Sequence, residues 1–337
     1  MSKIGIAVVG LGYWGPNWLR NFVQLEECTV THGCDLNEKC LRKFRGMYPA
    51  VTFTDSYQTV LSDKAVHAVV IATPTSTHFT LAKAALEAGK HVLLEKPMTS
   101  STKEADQLVR LAKKKRLLLL VDHTFAYTQS VKKIQEYIED KKLGDLLFFD
   151  SSRINLGLIQ RDANVFYDLA VHDLTILNAV MPLSEIVEIY ACGSAHYGKQ
   201  IEEGHVHLRF RSGFHAHIHV SWLSPVKMRS TIIGGKKAMV IFDDMQPSEK
   251  IRFYDKGVDH DTTKPDPFFP KYRNGDVTIP AIQLTEALDT EARHFLACIR
   301  KEEKPLVSGE DGATMMKILT LVNESIKKGA PVKVKYH

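Results

Sequence analysis

A glycine turn closes the first strand-like run of this chain. Residues 4–9 are almost wholly apolar, and Gly10-Leu11-Gly12-Tyr13-Trp14-Gly15 follows at once, ahead of Pro16. Proline is tolerated in the first turn of a helix, so a strand, a tight turn and a helix are expected in succession. Gly10 permits the turn, Gly12 lets a pyrophosphate approach the backbone, and Gly15 allows the helix to pack closely on the strand. The helix N-terminus then faces an anion with unpaired N–H groups. Alone the pattern is weak, because any tight turn can use glycine. In the first βαβ unit of a doubly wound sheet it points to a dinucleotide, with Tyr13 and Trp14 in the cradle.

The rest of the chain supplies that context. Short apolar runs rich in β-branched residues recur at 4–9, 29–34, 51–53, 66–72, 91–95 and 117–121, as strands covered on both faces require. Amphipathic stretches lie between them. One spans 77–88 and is stopped by Gly89; another starts at Ser101, where Glu104 completes a capping box. Residues 1–122 are therefore expected to form an α/β domain with a parallel, doubly wound sheet.

After Asp122 the rhythm changes. A helix at 130–141, a strand at 145–152 and a helix at 164–180 precede consecutive strands at 186–195, 205–210, 215–222, 228–233 and 238–242. Short turns such as Arg211-Ser212-Gly213 predict an antiparallel meander. The stretch 264–270, with three prolines, reads as an irregular connection. Helices at 282–301 and 311–328 and a short strand at 332–335 complete the reading. Residues 123–337 thus read as an α+β domain on a large, mainly antiparallel sheet.

Composition narrows the function. The chain has 337 residues, long enough for two domains and a large core. Its net charge of +5 is spread over 44 basic and 39 acidic residues. The densest basic run, Lys113-Lys114-Lys115-Arg116, falls at a helix end, where cations complement the dipole. A nucleic-acid partner, which would need a concentrated basic face, is not indicated. The five cysteines (Cys28, Cys34, Cys40, Cys192 and Cys298) form no CxxC pair and no metal-ligand spacing. Such a scattered, odd set fits reduced thiols. Met1-Ser2-Lys3 leaves no room for a signal peptide, and no apolar run approaches the ~20 residues that span a bilayer. A soluble, cytoplasmic protein is expected. His205, His207, His215, His217 and His219 alternate with apolar residues, which sets them on one face of adjacent strands. Without interleaved acidic or cysteine ligands they read as a polar sheet face, open to another subunit, and not as a metal site.

Asp35 ends the second strand, about 20 residues beyond the glycine motif. A carboxylate there accepts the ribose hydroxyls of NAD and repels the 2′-phosphate of NADP. The plainer reading is a cap for the helix that starts near Asn37. No arginine follows directly, so NAD is the expected cofactor. Lys96, in Glu95-Lys96-Pro97, follows a strand whose C-terminal end should face the ligand crevice. Its ammonium can stabilise charge on a substrate oxygen, or it is simply an exposed loop lysine. Asp168 and His172 stand at i,i+4 spacing on one helix face. Histidine suits proton removal near neutrality, although spacing alone favours a surface pair worth tenths of a kcal/mol. Arg153, Asn155 and Arg161, between the sheet and the Asp168 helix, are candidates for substrate contacts.

The Gly10–Gly15 motif, Thr73-Pro74 with His78, Glu95-Lys96-Pro97, Asp168-xxx-His172 and Ser308-Gly309-Glu310-Asp311-Gly312 together resemble the glucose–fructose oxidoreductase/inositol dehydrogenase/MocA family. The similarity runs through essentially the whole chain. It implies an N-terminal Rossmann domain and a C-terminal open-sheet domain that supports homodimers or homotetramers. It also implies that Lys96 and His172 carry proton chemistry at a sugar or cyclitol hydroxyl, with Asp168 beside them. Thr73-Pro74, His78 and Glu95 would line the cofactor, and the Lys-Pro bond is often cis in the family. Gly12-Tyr13-Trp14-Gly15-Pro16-Asn17 and Asp168-Leu169-Ala170-Val171-His172-Asp173-Leu174 look like the branch that acts on nucleotide sugars. There the 3-hydroxyl of UDP-N-acetylglucosamine or its uronate is oxidised. This chain departs from many relatives in having Phe166-Tyr167 before Asp168, where tryptophan is common. Activity on free sugars or inositols, the reverse ketone reduction, and cofactor binding without turnover are the alternatives.

Overall fold

A computed structural model describes residues 3–160, 163–259 and 271–335. The expected irregular stretch 264–270 and Arg161 lie outside them. The first compact unit holds Met1–Tyr127 and Thr285–Lys317, the second Thr128–Leu284 and Ile318–His337. The sequence reading splits the chain once after Asp122, whereas 285–317 cluster with the first unit. Periodicity identifies a helix but does not say which sheet its apolar face covers.

In the first unit, β1 (Ile4–Val9), α1 (Gly15–Gln24), β2 (Cys28–Cys34), α2 (Glu38–Met47), β3 (Thr52–Thr54), α3 (Tyr57–Ser62), β4 (Ala68–Ile71), α4 (Thr75–Glu87), β5 (His91–Leu94), α5 (Thr102–Lys115) and β6 (Leu119–Val121) alternate. The six strands form one sheet in the order β3-β2-β1-β4-β5-β6, with every pairing parallel. That is the order of a dinucleotide-binding sheet. All six residues of β1 and all four of β4 are buried, because helices cover both faces. Local signals behave as their chemistry dictates. Gly89 ends α4 with φ +80, and Ser101 accepts a hydrogen bond from the Glu104 N–H at 3.3 Å to cap α5.

In the second unit, α6 (Gln129–Glu139), β7 (Leu146–Leu156), α7 (Val171–Val180), β8 (Ile186–Ser194), β9 (Glu203–Phe210), β10 (His215–Ser221), β11 (Leu223–Gly235), β12 (Met239–Asp243), β13 (Ile251–Asp259) and β14 (Lys271–Thr278) follow. The last elements are α8 (Ala287–Ile299), α9 (Gly309–Lys328) and β15 (Val332–Lys333). Nine strands run in the order β14-β13-β12-β11-β7-β10-β9-β8-β15. The meander expected from sequence is interrupted: β7 lies between β10 and β11, parallel to the first and antiparallel to the second. β14 escapes the sequence reading because its residues are mostly exposed and polar, which erases the period-two signal. α8 starts at Ala287, five positions later than expected.

α8 belongs to the first unit because its apolar face completes that core. Ala292, Phe295 and Leu296 are fully or nearly fully buried with Trp18, Leu19 and Phe22 of α1. Phe22 and Phe295 meet edge to face at 6.4 Å. Burying a phenylalanine of this kind contributes about 1.5–3 kcal/mol. Among the described residues no helix is long and apolar enough to cross a membrane.

Candidate active site

Successive strand ends place Gly10, Thr73, Glu95 and Asp122 along the C-terminal edge of the parallel sheet. Gly10 turns with φ +88, and a Cβ there would lie 2.6 Å from the Ala72 carbonyl oxygen. A Cβ on Gly15 would lie 1.7 Å from the Gly10 oxygen. Both glycines are required by the protein's own packing. Gly12 is different, since a Cβ there would meet nothing within 4 Å. The N-terminus of α1 has no side-chain cap and no acidic residue in its first turn, which leaves its dipole to an anion. Tyr13, 85% exposed, meets Trp14 edge to face at 5.5 Å.

Asp35 does more than cap a helix. Asn37 is the cap of α2, accepting from the Lys39 N–H at 3.0 Å. Asp35 instead accepts from the Asn37 N–H at 2.7 Å and from the Leu11 N–H at 2.6 Å, strapping the β2 loop to the glycine turn. A carboxylate offers about four acceptor sites, so two remain for ribose hydroxyls. The bare Gly12 backbone, the uncapped helix end and this carboxylate fit a dinucleotide.

Thr73 pairs its hydroxyl with that of Thr77 at 2.7 Å, and Pro74 precedes α4. His78 is expected among the cofactor contacts, but its side chain is buried. Its ring nitrogens lie 2.8 Å from the Thr73 oxygen and 3.0 Å from the Pro97 oxygen. Burial pushes its pKa down, against the pull of those carbonyls. His78 therefore clamps two loops together.

The Leu94–Val121 pairing of β5 with β6 sets Glu95 and Asp122 side by side. Both are buried. Glu95 accepts from the Lys96 backbone N–H at 2.9 Å, and the Lys96–Pro97 bond is cis. Asp122 accepts from the Thr124 N–H at 3.0 Å and from its hydroxyl at 2.6 Å. Burial, and then the neighbouring Asp122, hold the Glu95 carboxyl well above the usual range, while Lys96 opposes the shift. Lys96 itself is half-buried. An ammonium at this edge can stabilise negative charge forming on a bound oxygen.

The second unit holds the other predicted residues. Asp168 lies in a π-helical turn, Phe166–Ala170, that runs into α7 carrying His172. One α-helix over 164–180 was the simpler expectation; the i→i+5 turn replaces the regular i,i+4 alignment there. Phe166 fills the space left by Gly193 and Gly204, where a Cβ would come within 3.3 and 2.5 Å of its ring. Asp168 accepts from the indole N–H of Trp222 at 3.0 Å. Asn155 belongs to this cluster, since a Cβ on Gly157 would approach both its amide and the Trp222 ring. Arg153 is not a loop residue. It sits buried in β7 and pairs with buried Asp173 at 2.8 Å.

Three site residues have no place in the sequence reading. Asp122 follows an apolar strand just as Glu95 does, and that parallel was legible. Glu291 interrupts the buried stripe Leu288, Ala292 and Phe295 of α8, a visible sign of a carboxyl facing inward. Trp222 left no local signal, because its partner is 54 positions away. The histidine rows do meet, with His205 and His219 stacked at 4.3 Å. Among the described residues no group of three or more metal-ligating side chains is arranged to hold a metal ion.

Comparison with known proteins agrees with the fold. Residues 4–123 match the oxidoreductase family with an NAD-binding Rossmann fold, and residues 131–241 match the GFO/IDH/MocA C-terminal domain. A myo-inositol 2-dehydrogenase of Thermotoga maritima is 24% identical, covering 98% of both chains. A UDP-N-acetylglucosamine 3-dehydrogenase of Acidithiobacillus ferrooxidans is 35% identical over 39% of this chain and 40% of its own. Its solved structure superposes with a TM-score of 0.79 at 22% identity, covering 97% of this chain and 99% of its own. The structure of a levoglucosan dehydrogenase with NADH and levoglucosan gives a TM-score of 0.84 at 18% identity, over 99% of this chain and 100% of the other.

Proposed function

We propose, because this chain belongs to the Gfo/Idh/MocA family of oxidoreductases and has an NAD-binding Rossmann domain, that it oxidises a secondary hydroxyl of a sugar. The substrate we favour is a UDP-linked amino sugar oxidised at carbon 3, supported by the 35% identity to the UDP-N-acetylglucosamine enzyme. A bound nicotinamide supplies the hydride acceptor. In this reading His172 takes the hydroxyl proton, Asp168 orients the reacting group, and the Lys96 ammonium stabilises the substrate oxygen as it becomes negative. Gly12 and the α1 N-terminus hold the pyrophosphate. Asp35 holds the adenosine ribose and turns away a 2′-phosphate.

The observation that carries the reading is Lys96 at the strand edge, its backbone fixed by buried Glu95 at 2.9 Å. The full-length similarity to an inositol dehydrogenase favours a second reading, a free polyol as substrate. The test is NADH absorbance at about 340 nm with UDP-sugars, free hexoses and inositols, with Lys96→Ala as control. Signal with UDP-N-acetylglucosamine, lost in the variant, is expected. Signal only with inositols selects the second reading. Normal turnover by Lys96→Ala refutes the role of that lysine.

A further inference from the structure

Glu291 of α8 is fully buried, and neither of its oxygens meets a donor in hydrogen-bonding geometry. What it faces is Asp122, then Glu95, with the His123 backbone close by. α8 packs on the turn Thr124–Tyr127 that follows Asp122. Three buried carboxyls thus share one compartment of the first unit. The other titratable groups around them include Lys96, His123, Tyr127, Cys298 and Asp311. Three neighbouring carboxylates cannot all stay ionised in so dry a place. The His123 backbone can serve one Glu291 oxygen, but toward Asp122 one carboxyl faces another, and a bond between them needs a proton from one of the two.

We infer that Glu291 is a positioning residue for Lys96: its carboxyl O–H donates to Asp122, which accepts between Glu291 and Glu95. Glu95 then turns its own proton toward Asp122 and keeps an oxygen for the Lys96 N–H at 2.9 Å. Thr124 holds Asp122 from the other side through two further hydrogen bonds. Burial and the adjacent acids act in the same direction, keeping both glutamates protonated far above their ordinary range. No proton leaves the cluster in turnover; the cluster fixes where the lysine turn sits.

This rests on the reading of Lys96 as the group at the substrate oxygen, so one readout must be independent of turnover. Glu291→Gln keeps a donor toward Asp122 and cannot ionise. A group whose folded pKa is raised loses stabilising effect as pH rises above its unfolded value. The wild-type protein should therefore lose melting temperature relative to Glu291→Gln progressively as pH rises above the ordinary glutamate range. In turnover, Glu291→Leu should lower kcat between about ten- and a hundredfold, with the KM for NAD little changed, and Glu291→Gln should restore it. A glutamine variant that is less stable across the range, or a gap that does not widen with pH, overturns the proposal. So do equal kcat values for the leucine and glutamine variants. Should Lys96→Ala turn over normally, the underlying reading fails instead, and that result appears in the lysine variant alone.

Discussion

Trp222 gives its indole N–H to Oδ2 of Asp168 at 3.0 Å. The donor lies just past the end of β10 and the acceptor in a π-helical turn, so the sheet itself fixes the direction of the carboxylate. Replacing Trp222 by phenylalanine keeps an aromatic ring in a buried place and removes the donor. Activity should fall about tenfold or more through kcat, with destabilisation of about 1–3 kcal/mol. Steady-state kinetics beside urea unfolding separates the two, and an unchanged kcat would release Asp168 from dependence on this bond.

The two outer glycines and the middle one should respond oppositely to alanine. Gly15→Ala forces a methyl group onto the Gly10 carbonyl oxygen, so poor folding is expected. Gly12→Ala enters open space and should change stability by no more than about 0.5 kcal/mol. Its NAD affinity should nevertheless drop about tenfold or more, a loss of about 1.4 kcal/mol. Melting curves and a fluorescence titration with NAD decide the matter; normal binding by Gly12→Ala would mean that the pyrophosphate lies elsewhere.

Asp35 holds Leu11 and Asn37 and is proposed to choose between cofactors. Asp35→Asn keeps a single acceptor oxygen, so it holds one of the two backbone N–H groups and loses the other, and it no longer repels a phosphate. The ratio of kcat/KM for NAD over NADP should fall about tenfold in that variant. A ratio that stays put would leave Asp35 with a purely structural task.

Arg153 and Asp173 form a buried pair at 2.8 Å. Burial raises the Asp173 pKa, and Arg153 pulls it back. Removing one partner leaves an uncompensated buried charge, which costs about 3–5 kcal/mol. Arg153→Met should therefore lower the urea midpoint markedly. If stability were kept while KM for substrate rose, Arg153 would touch substrate after all.

Acid should weaken the first unit through His123. Burial pushes this imidazole from 6.5 down to about 4. A folded value below the unfolded one means that its stabilising effect is complete above about pH 6.5 and lost as pH falls toward about 4. The total is about 3 kcal/mol. Glu95 has the opposite sign, since its raised value makes its contribution complete at low pH and lost on raising pH. His123→Gln should lose less stability than wild type between pH 7 and pH 5; equal losses would remove His123 as the acid-sensitive group.

Residues close together in sequence declared themselves. Gly10, Gly12 and Gly15 after an apolar strand, Gly89 and the Ser101 cap are local devices, set by φ and by the reach of one side chain. So is the alternation that identifies the parallel sheet, because strands buried on both faces need continuous apolar runs. Only the tertiary structure decided that α8 serves the first core and that His78 is buried between the Thr73 and Pro97 carbonyls. The same holds for Arg153, committed to Asp173, and for Trp222 and Glu291, which stand behind the predicted catalytic residues. Those assignments depend on which distant groups share a buried space, and burial, hydrogen bonding and charge repulsion there are properties of the packed chain, not of any window along it.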